Sequence, residues 1–106
     1  MHDSLPDFDM PSDAQVDLAA ETFRLLSDPT RIKVLWALLQ GETSVACLAE
    51  LAGTTPTAAS QHLAKLRMSR LVTARRQGTF IYYSVADDHV RALLAQALGQ
   101  VDRTDG

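Results

Sequence analysis

Apolar residues at Val16, Ala19, Ala20, Phe23 and Leu26 recur at three- and four-residue steps, which predicts a first helix with one apolar stripe. "SDPTR" at Ser27–Arg31 ends it and starts a second: Asp28 can cap, and Pro29 suits the first helical position. "RIKVLWALL" is apolar nearly all round, so this second helix is expected at the centre of the core, with Trp36 packed inside it. Gly41 closes it. Ser44 opens a short helix, "SVACLAELAG", which Gly53 stops. In "TTPTAASQHLAKLRM" Thr55 can cap and Pro56 takes the first turn. Ala59, Leu63 and Leu66 line one side of that helix, while Thr57, Gln61, Lys65 and Met68 line the other, with Ser60 beside them.

After Arg70 the pattern changes. "LVTARR" and "TFIYYSV" are rich in β-branched and aromatic residues, and Gln77-Gly78 between them predicts a hairpin, Gly78 supplying a positive φ. The last segment, "VADDHVRALLAQALGQVDR", places Val90, Leu93, Leu94, Ala97, Leu98 and Val101 on one helical stripe. The expected order is helix, helix, short helix, helix, two-stranded hairpin, helix. The fold class is therefore mainly α with a small β-hairpin (α+β), a winged helix-turn-helix over residues 14–103. Residues 1–13 hold two prolines, four acids and no periodicity, and are expected to form a flexible acidic arm; 104–106 are a tail.

Composition narrows the class. A chain of 106 residues forms one small domain whose core benefits from oligomerisation. With 46% apolar residues it is not a disordered chain. No apolar run approaches a membrane span, and the single Cys47 cannot form an internal disulfide, so a cytoplasmic location is expected, on the nucleoid when bound to DNA. Cys47 itself is expected to be a small buried residue.

Charge changes the picture more. The net charge of −3 conceals an asymmetry. Residues 1–22 carry Asp3, Asp7, Asp9, Asp13, Asp17 and Glu21 with no Lys or Arg, a local net of −6. From Leu51 through Ala86 there is no acid, while Lys65, Arg67, Arg70, Arg75 and Arg76 give +5. A block cleared of acids and seeded with bases points to a polyanion. Double-stranded DNA suits it: a helix fits the major groove, where the outward Thr57, Ser60, Gln61 and Lys65 can reach bases and phosphates. His62 lies nearer the packed side, suited to a helix–helix or phosphate contact. Arg67 sits at the helix end, and Arg75 and Arg76 stand before the hairpin tip, where a wing meets phosphate or the minor groove. An enzyme is not indicated: one Cys, three dispersed His and no phosphate-cradling Gly-rich loop leave no nucleophile with a neighbouring base.

The first and last helices have no part in that reader, and their stripes are more than a small domain can bury. Pairing across a two-fold axis through Val16, Ala20, Phe23, Val90, Leu93, Leu94, Ala97, Leu98 and Val101 would cover both. It would also set two recognition helices roughly 34 Å apart on an inverted-repeat operator.

"LLSDPTRIKVLWALL", "ASQHLAKLRMSRLVTARRQGTFIYYSV" and "DDHVRALL" together resemble the ArsR/SmtB family of bacterial metalloregulatory repressors, from about Asp17 to Val101. The resemblance implies a dimeric operator-binding repressor released by an inducer. The family's thiolate site, a Cys-Val-Cys-Asp-Leu pattern, falls on Ser44-Val45-Ala46-Cys47-Leu48, where both cysteine positions are lost. Its second site pairs Asp and His near the start of the last helix, matched by Asp87 and His89, with two ligands from the partner helix. Those last two positions hold Gln100 and Arg103; Asp102 is the nearest acid and matches a carboxylate position of a nickel-sensing relative. Nickel-sensing relatives also recruit N-terminal ligands, which points to His2. Such an N/O set suits Ni(II), Co(II) or Zn(II) and not thiophilic ions. The alternative is a repressor with no metal site, answering another inducer or a protein partner.

Overall fold

The computed structural model of the chain describes residues 4–86 and 89–105. Its elements are α1 (Asp13–Leu25), α2 (Pro29–Leu38), β1 (Thr43–Ser44), α3 (Val45–Ala52), α4 (Pro56–Met68), β2 (Val72–Gln77), β3 (Phe80–Val85) and α5 (His89–Asp105). This is the expected winged helix-turn-helix order with one addition, the two-residue strand β1.

Local chemistry explains most boundaries. Ser12 and Gln15 cap α1 reciprocally, each side-chain oxygen accepting the other's backbone N–H (3.2 and 2.9 Å). Asp28 caps α2 by accepting the Arg31 N–H at 3.0 Å, and Pro29 follows. That hydrogen bond, with the nearby positive charge of Arg31, holds the Asp28 carboxyl below its ordinary range. Ser44 and Thr55 cap α3 and α4 through their hydroxyls. Gly53 closes α3 in the left-handed region, φ +67°.

The same closing motif ends α4 with a different residue. The Leu71 N–H donates to the Leu66 carbonyl and the Arg70 N–H to that of Arg67, both at 2.9 Å, so Arg70 occupies the position Gly53 fills on α3. Arg70 has φ +64°. A residue with a Cβ is disfavoured there by about 1 kcal/mol relative to glycine, so its long cationic side chain is held at the helix–wing junction at a conformational cost.

The core joins all the helices to the sheet. Leu25 of α1, Val34, Leu35 and Leu38 of α2, Leu48 and Ala52 of α3, Leu63 and Leu66 of α4, Val72 of β2, and Val90 and Leu94 of α5 form one buried cluster. The Arg91 guanidinium ties α5 to α2 by donating to the Leu39 carbonyl at 2.7 Å. Strands β2 and β3 pair from Val72↔Val85 to Gln77↔Phe80, so the turn is Gly78-Thr79 rather than Gln77-Gly78. Gly78 has φ +63° and Thr79 no positive φ, as in a type II′ hairpin turn. β1 adds to the other side of β3 through Thr43↔Tyr83 and Ser44↔Tyr82, which gives the order β1-β3-β2.

Two expectations about burial are corrected, and a third residue is buried without any sign of it in the sequence. Trp36 is 38% exposed: α2 turns Arg31, Val34, Leu35 and Leu38 inward, and Trp36 stands off that stripe. Cys47 is exposed, because α3 buries Leu48, Ala49 and Ala52 instead. Arg31, a charged residue in a helix's first turn, is buried. Its Nη1 donates to the Leu25 carbonyl at 3.0 Å and its Nε to His62 Nδ1 at 3.4 Å, so it satisfies the end of α1 and joins it to α4.

Candidate nucleic-acid interface

The buried residues of α4 are Ala59, Leu63 and Leu66, which orient the helix: the opposite side must face outward. Thr57, Ser60, Gln61, Lys65, Arg67 and Met68 are all exposed there, and Met68 is 83% exposed despite being apolar. The structure therefore brings together the outward set read from the sequence. His62 departs from it. It is half-buried and turned toward α2, where it accepts the Arg31 hydrogen bond.

The wing places its two arginines differently. Side chains alternate along a strand, and Val72 and Ala74 face the helices with Tyr83 and Val85. Arg76 shares their side of the sheet, beyond the packed region, and is exposed. Arg75 lies on the outer side with Thr73 and Gln77. Its guanidinium is already engaged, donating to Glu42 through Nη2 (2.7 Å) and Nε (3.1 Å) and to Gln77 Oε1 at 2.8 Å. It also lies 5.2 Å from the centre of the Tyr82 ring. The pairing holds the Glu42 carboxyl below its ordinary range and raises Arg75. Glu42 escaped sequence reasoning because nothing local links it to a residue 33 positions away.

α1 and α5 form a second apolar surface. Among the described residues of α1 only Leu25 is buried; Val16, Leu18 and Phe23 are 48%, 71% and 59% exposed. Between α1, the α4–β2 junction and α5 lies a groove of about 510 Å³, lined by Leu18, Phe23, Leu71, His89, Val90 and Leu93 among others. The expected stripe of α5 divides here. Val90 and Leu94 are buried in the chain's own core and Leu98 packs against it, whereas Leu93 and Ala97 remain exposed. The outward surface available to a second copy is thus Val16, Ala20, Phe23, Leu93 and Ala97. Val101 lies on α5, but its side chain is outside the described residues.

For metals, His89 is exposed at the first position of α5 and borders the groove. His2 and Asp87 lie outside the described residues, as does the side chain of Asp102. Among the described residues no three His, Cys, Asp or Glu side chains converge. The thiolate position does not fit a soft ion: Ser44 uses its hydroxyl to cap α3, Ala46 has no donor, and Cys47 stands by itself.

Comparison with known proteins decides the family. The model of the bacterial regulatory proteins of the arsR family matches residues 28–74, from the α2 cap into the wing. The HTH-type transcriptional regulator KmtR of Mycobacterium tuberculosis is 52% identical over 96 residues, covering 91% of this chain and 72% of KmtR. The chain belongs to the ArsR family of bacterial regulatory proteins. Two solved structures agree. The homodimeric winged helix-turn-helix DNA-binding domain of Mb0332 from Mycobacterium bovis, a possible ArsR-family regulator, is 34% identical with a TM-score of 0.75, over 92% of this chain and 93% of that one. The antimony-specific transcriptional repressor AntR is 31% identical with a TM-score of 0.84, over 96% and 93%. Membership makes the chain a DNA-binding transcriptional repressor of winged helix-turn-helix type and not an enzyme. No helix among the described residues is long and apolar enough to cross a membrane.

Proposed function

We propose that the chain acts as a homodimer that binds an inverted-repeat operator through α4 and the wing, and that a divalent metal at the α5 seam releases it. The observation that carries the DNA reading is the outward side of α4, where Thr57, Ser60, Gln61 and Lys65 stand exposed in a stretch without acids. Gln61 can address adenine in two places at once, while Lys65, Arg67 and Arg76 supply phosphate contacts and salt dependence. His62 serves this reader from behind, joining α4 to the rest of the helix-turn-helix through Arg31.

Dimerisation is supported by the exposed α1–α5 surface, and by likeness to the homodimeric domain of Mb0332. A metal inducer is supported by likeness to the antimony-specific repressor AntR. The donors differ from those a soft ion needs. His89 of one chain, with Asp87 two positions before it in the sequence and Asp102 and His2 as further donors, would make an N/O set that suits Ni(II), Co(II) or Zn(II). Bound there, the ion would supply a cross-link between helices whose relative angle sets the spacing of the two α4 helices. His89 is suited to this because it borders the α1–α5 groove.

Fluorescence anisotropy on duplex DNA from the upstream promoter, with and without Ni(II), Co(II) and Zn(II), tests the reading. One of these ions is expected to weaken DNA binding by about 5- to 150-fold, the usual range of coupling between two sites. His89→Ala is expected to keep DNA binding and lose the response. If no ion changes wild-type affinity, the repressor lacks a metal inducer.

A further inference from the structure

Of the two wing arginines, Arg76 is taken up by the DNA reading and Arg75 is not. Arg75 starts on β2, passes over the Tyr82 ring on β3, and ends on the Glu42 carboxylate just before β1. Because the sheet order is β1-β3-β2, this one side chain spans the outer face of all three strands. Its remaining Nη1 donates to Gln77, the last residue of β2 before the turn. A lone exposed ion pair contributes little to stability, but a two-pronged guanidinium–carboxylate contact stacked on an aromatic ring is geometrically restrictive.

We propose that Arg75 and Glu42 form a strap that fixes the angle of the wing relative to the helices. On this assignment they are positioning residues for DNA binding, and Arg76 carries the wing's phosphate contact. The inference rests on the DNA-binding reading above and refines it.

Three observations favour a strap over a phosphate contact. The guanidinium's carboxylate partner comes from within the chain, so a phosphate would have to displace a carboxylate that already accepts two of its N–H groups. The contact lies on the face of the sheet turned away from α4, whereas Arg76 lies on the same face as Val72 and Ala74. Finally, β1 pairs with β3 only at Thr43 and Ser44, a seam too short to hold a hairpin by backbone bonds alone. A wing that swings freely would lose orientation entropy on binding, and the strap removes part of that loss beforehand.

The test compares Arg75→Ala, Glu42→Ala, their double variant, Arg75→Lys and Arg76→Ala by anisotropy on the same duplex between 50 and 200 mM salt. Glu42→Ala and Arg75→Ala should each weaken binding by about 3- to 10-fold, with the double variant no worse than the weaker single, as expected of coupled partners. The salt slope should stay unchanged in these variants, and Arg75→Lys should not rescue, because an ammonium cannot make the planar two-pronged contact. Arg76→Ala should lower the slope by about one. The proposal is overturned if Arg75→Ala lowers the slope by about one while Glu42→Ala tightens binding, the behaviour of a screened phosphate contact. Additive losses would overturn it too.

Amide hydrogen exchange on the free protein separates this inference from the DNA reading. Both single variants should speed exchange at the outer β2–β3 amides without lowering the melting temperature. If the wild type binds no DNA, exchange still decides: unchanged wing protection rejects the strap, and faster exchange upholds it while the DNA reading fails.

Discussion

Phe23→Asp is expected to split the dimer and to weaken operator binding by about 100-fold or more. Phe23 is 59% exposed on a helix that buries only Leu25 among its described residues, so the substitution leaves the protomer's own core intact. In a two-fold interface each substitution acts twice. Burying a phenylalanine side chain contributes about 1.5–3 kcal/mol, so the two copies together amount to roughly 3–6 kcal/mol of association free energy. A carboxylate forced into the seam adds a desolvation cost on each side. Loss of the dimer then removes the avidity of two linked readers, itself worth about 10²- to 10⁴-fold. Analytical ultracentrifugation should show a dimer for the wild type and a monomer for the variant, with little change in helix content by circular dichroism. A variant that stays dimeric would place the seam elsewhere.

Leu63→Ala is expected to be the most damaging substitution within a protomer. Leu63 is fully buried on the inner side of α4, within the cluster that includes Leu35, Leu48 and Leu66. Deleting its branched end leaves a cavity where α2, α3 and α4 meet, at a cost of about 2–5 kcal/mol. Against the roughly 5–15 kcal/mol that holds most domains folded, this is a large fraction. For a chain of this size it lowers the melting temperature by about 4–8 °C per kcal/mol. Thermal unfolding must be compared at fixed protomer concentration, since association stabilises the folded state by mass action. Gln61→Ala, two residues away on the outer side, should leave the melting temperature close to wild type. A shift of less than about 3 °C for Leu63→Ala would mean that the core does not pass through α4.

The contrast between these two neighbours marks how far the sequence could be read. The caps at Asp28, Ser44 and Thr55, the prolines that follow two of them, and the positive φ of Gly78 are local devices, and each stands where the pattern placed it, although the turn itself lies one residue further on. So does the sidedness of α4, because periodicity records which residues face in. What the pattern could not supply was pairing at a distance. Arg31 was unreadable as a buried residue because its acceptors, the Leu25 carbonyl and His62, come from other elements. Trp36 and Cys47 mislead for the opposite reason: both residue types are usually buried, and here their helices turn other positions inward. β1 is two residues long and has no period to detect.

The site was legible in part for the same reasons. Sequence alone picked out the side chains that α4 exposes, yet it treated Arg75 and Arg76 as equivalent. Only the strand register separates them, by setting one against Tyr82 and the other against Ile81. On α5 the apolar stripe served two surfaces that one helical period cannot distinguish. Val90 and Leu94 close the protomer's core, while Leu93 and Ala97 face outward beside α1.

The central claim is that the outward side of α4 reads a DNA sequence. Its most direct measurement is an anisotropy titration of the wild type and Gln61→Ala on the upstream promoter duplex and on a scrambled duplex of equal length, at one stated salt concentration. The wild type should prefer the promoter by about 10³-fold or more, and Gln61→Ala should lose about 1–3 kcal/mol of that preference while keeping its affinity for the scrambled duplex. Equal wild-type affinity for the two duplexes, or a preference that Gln61→Ala leaves intact, would contradict the claim.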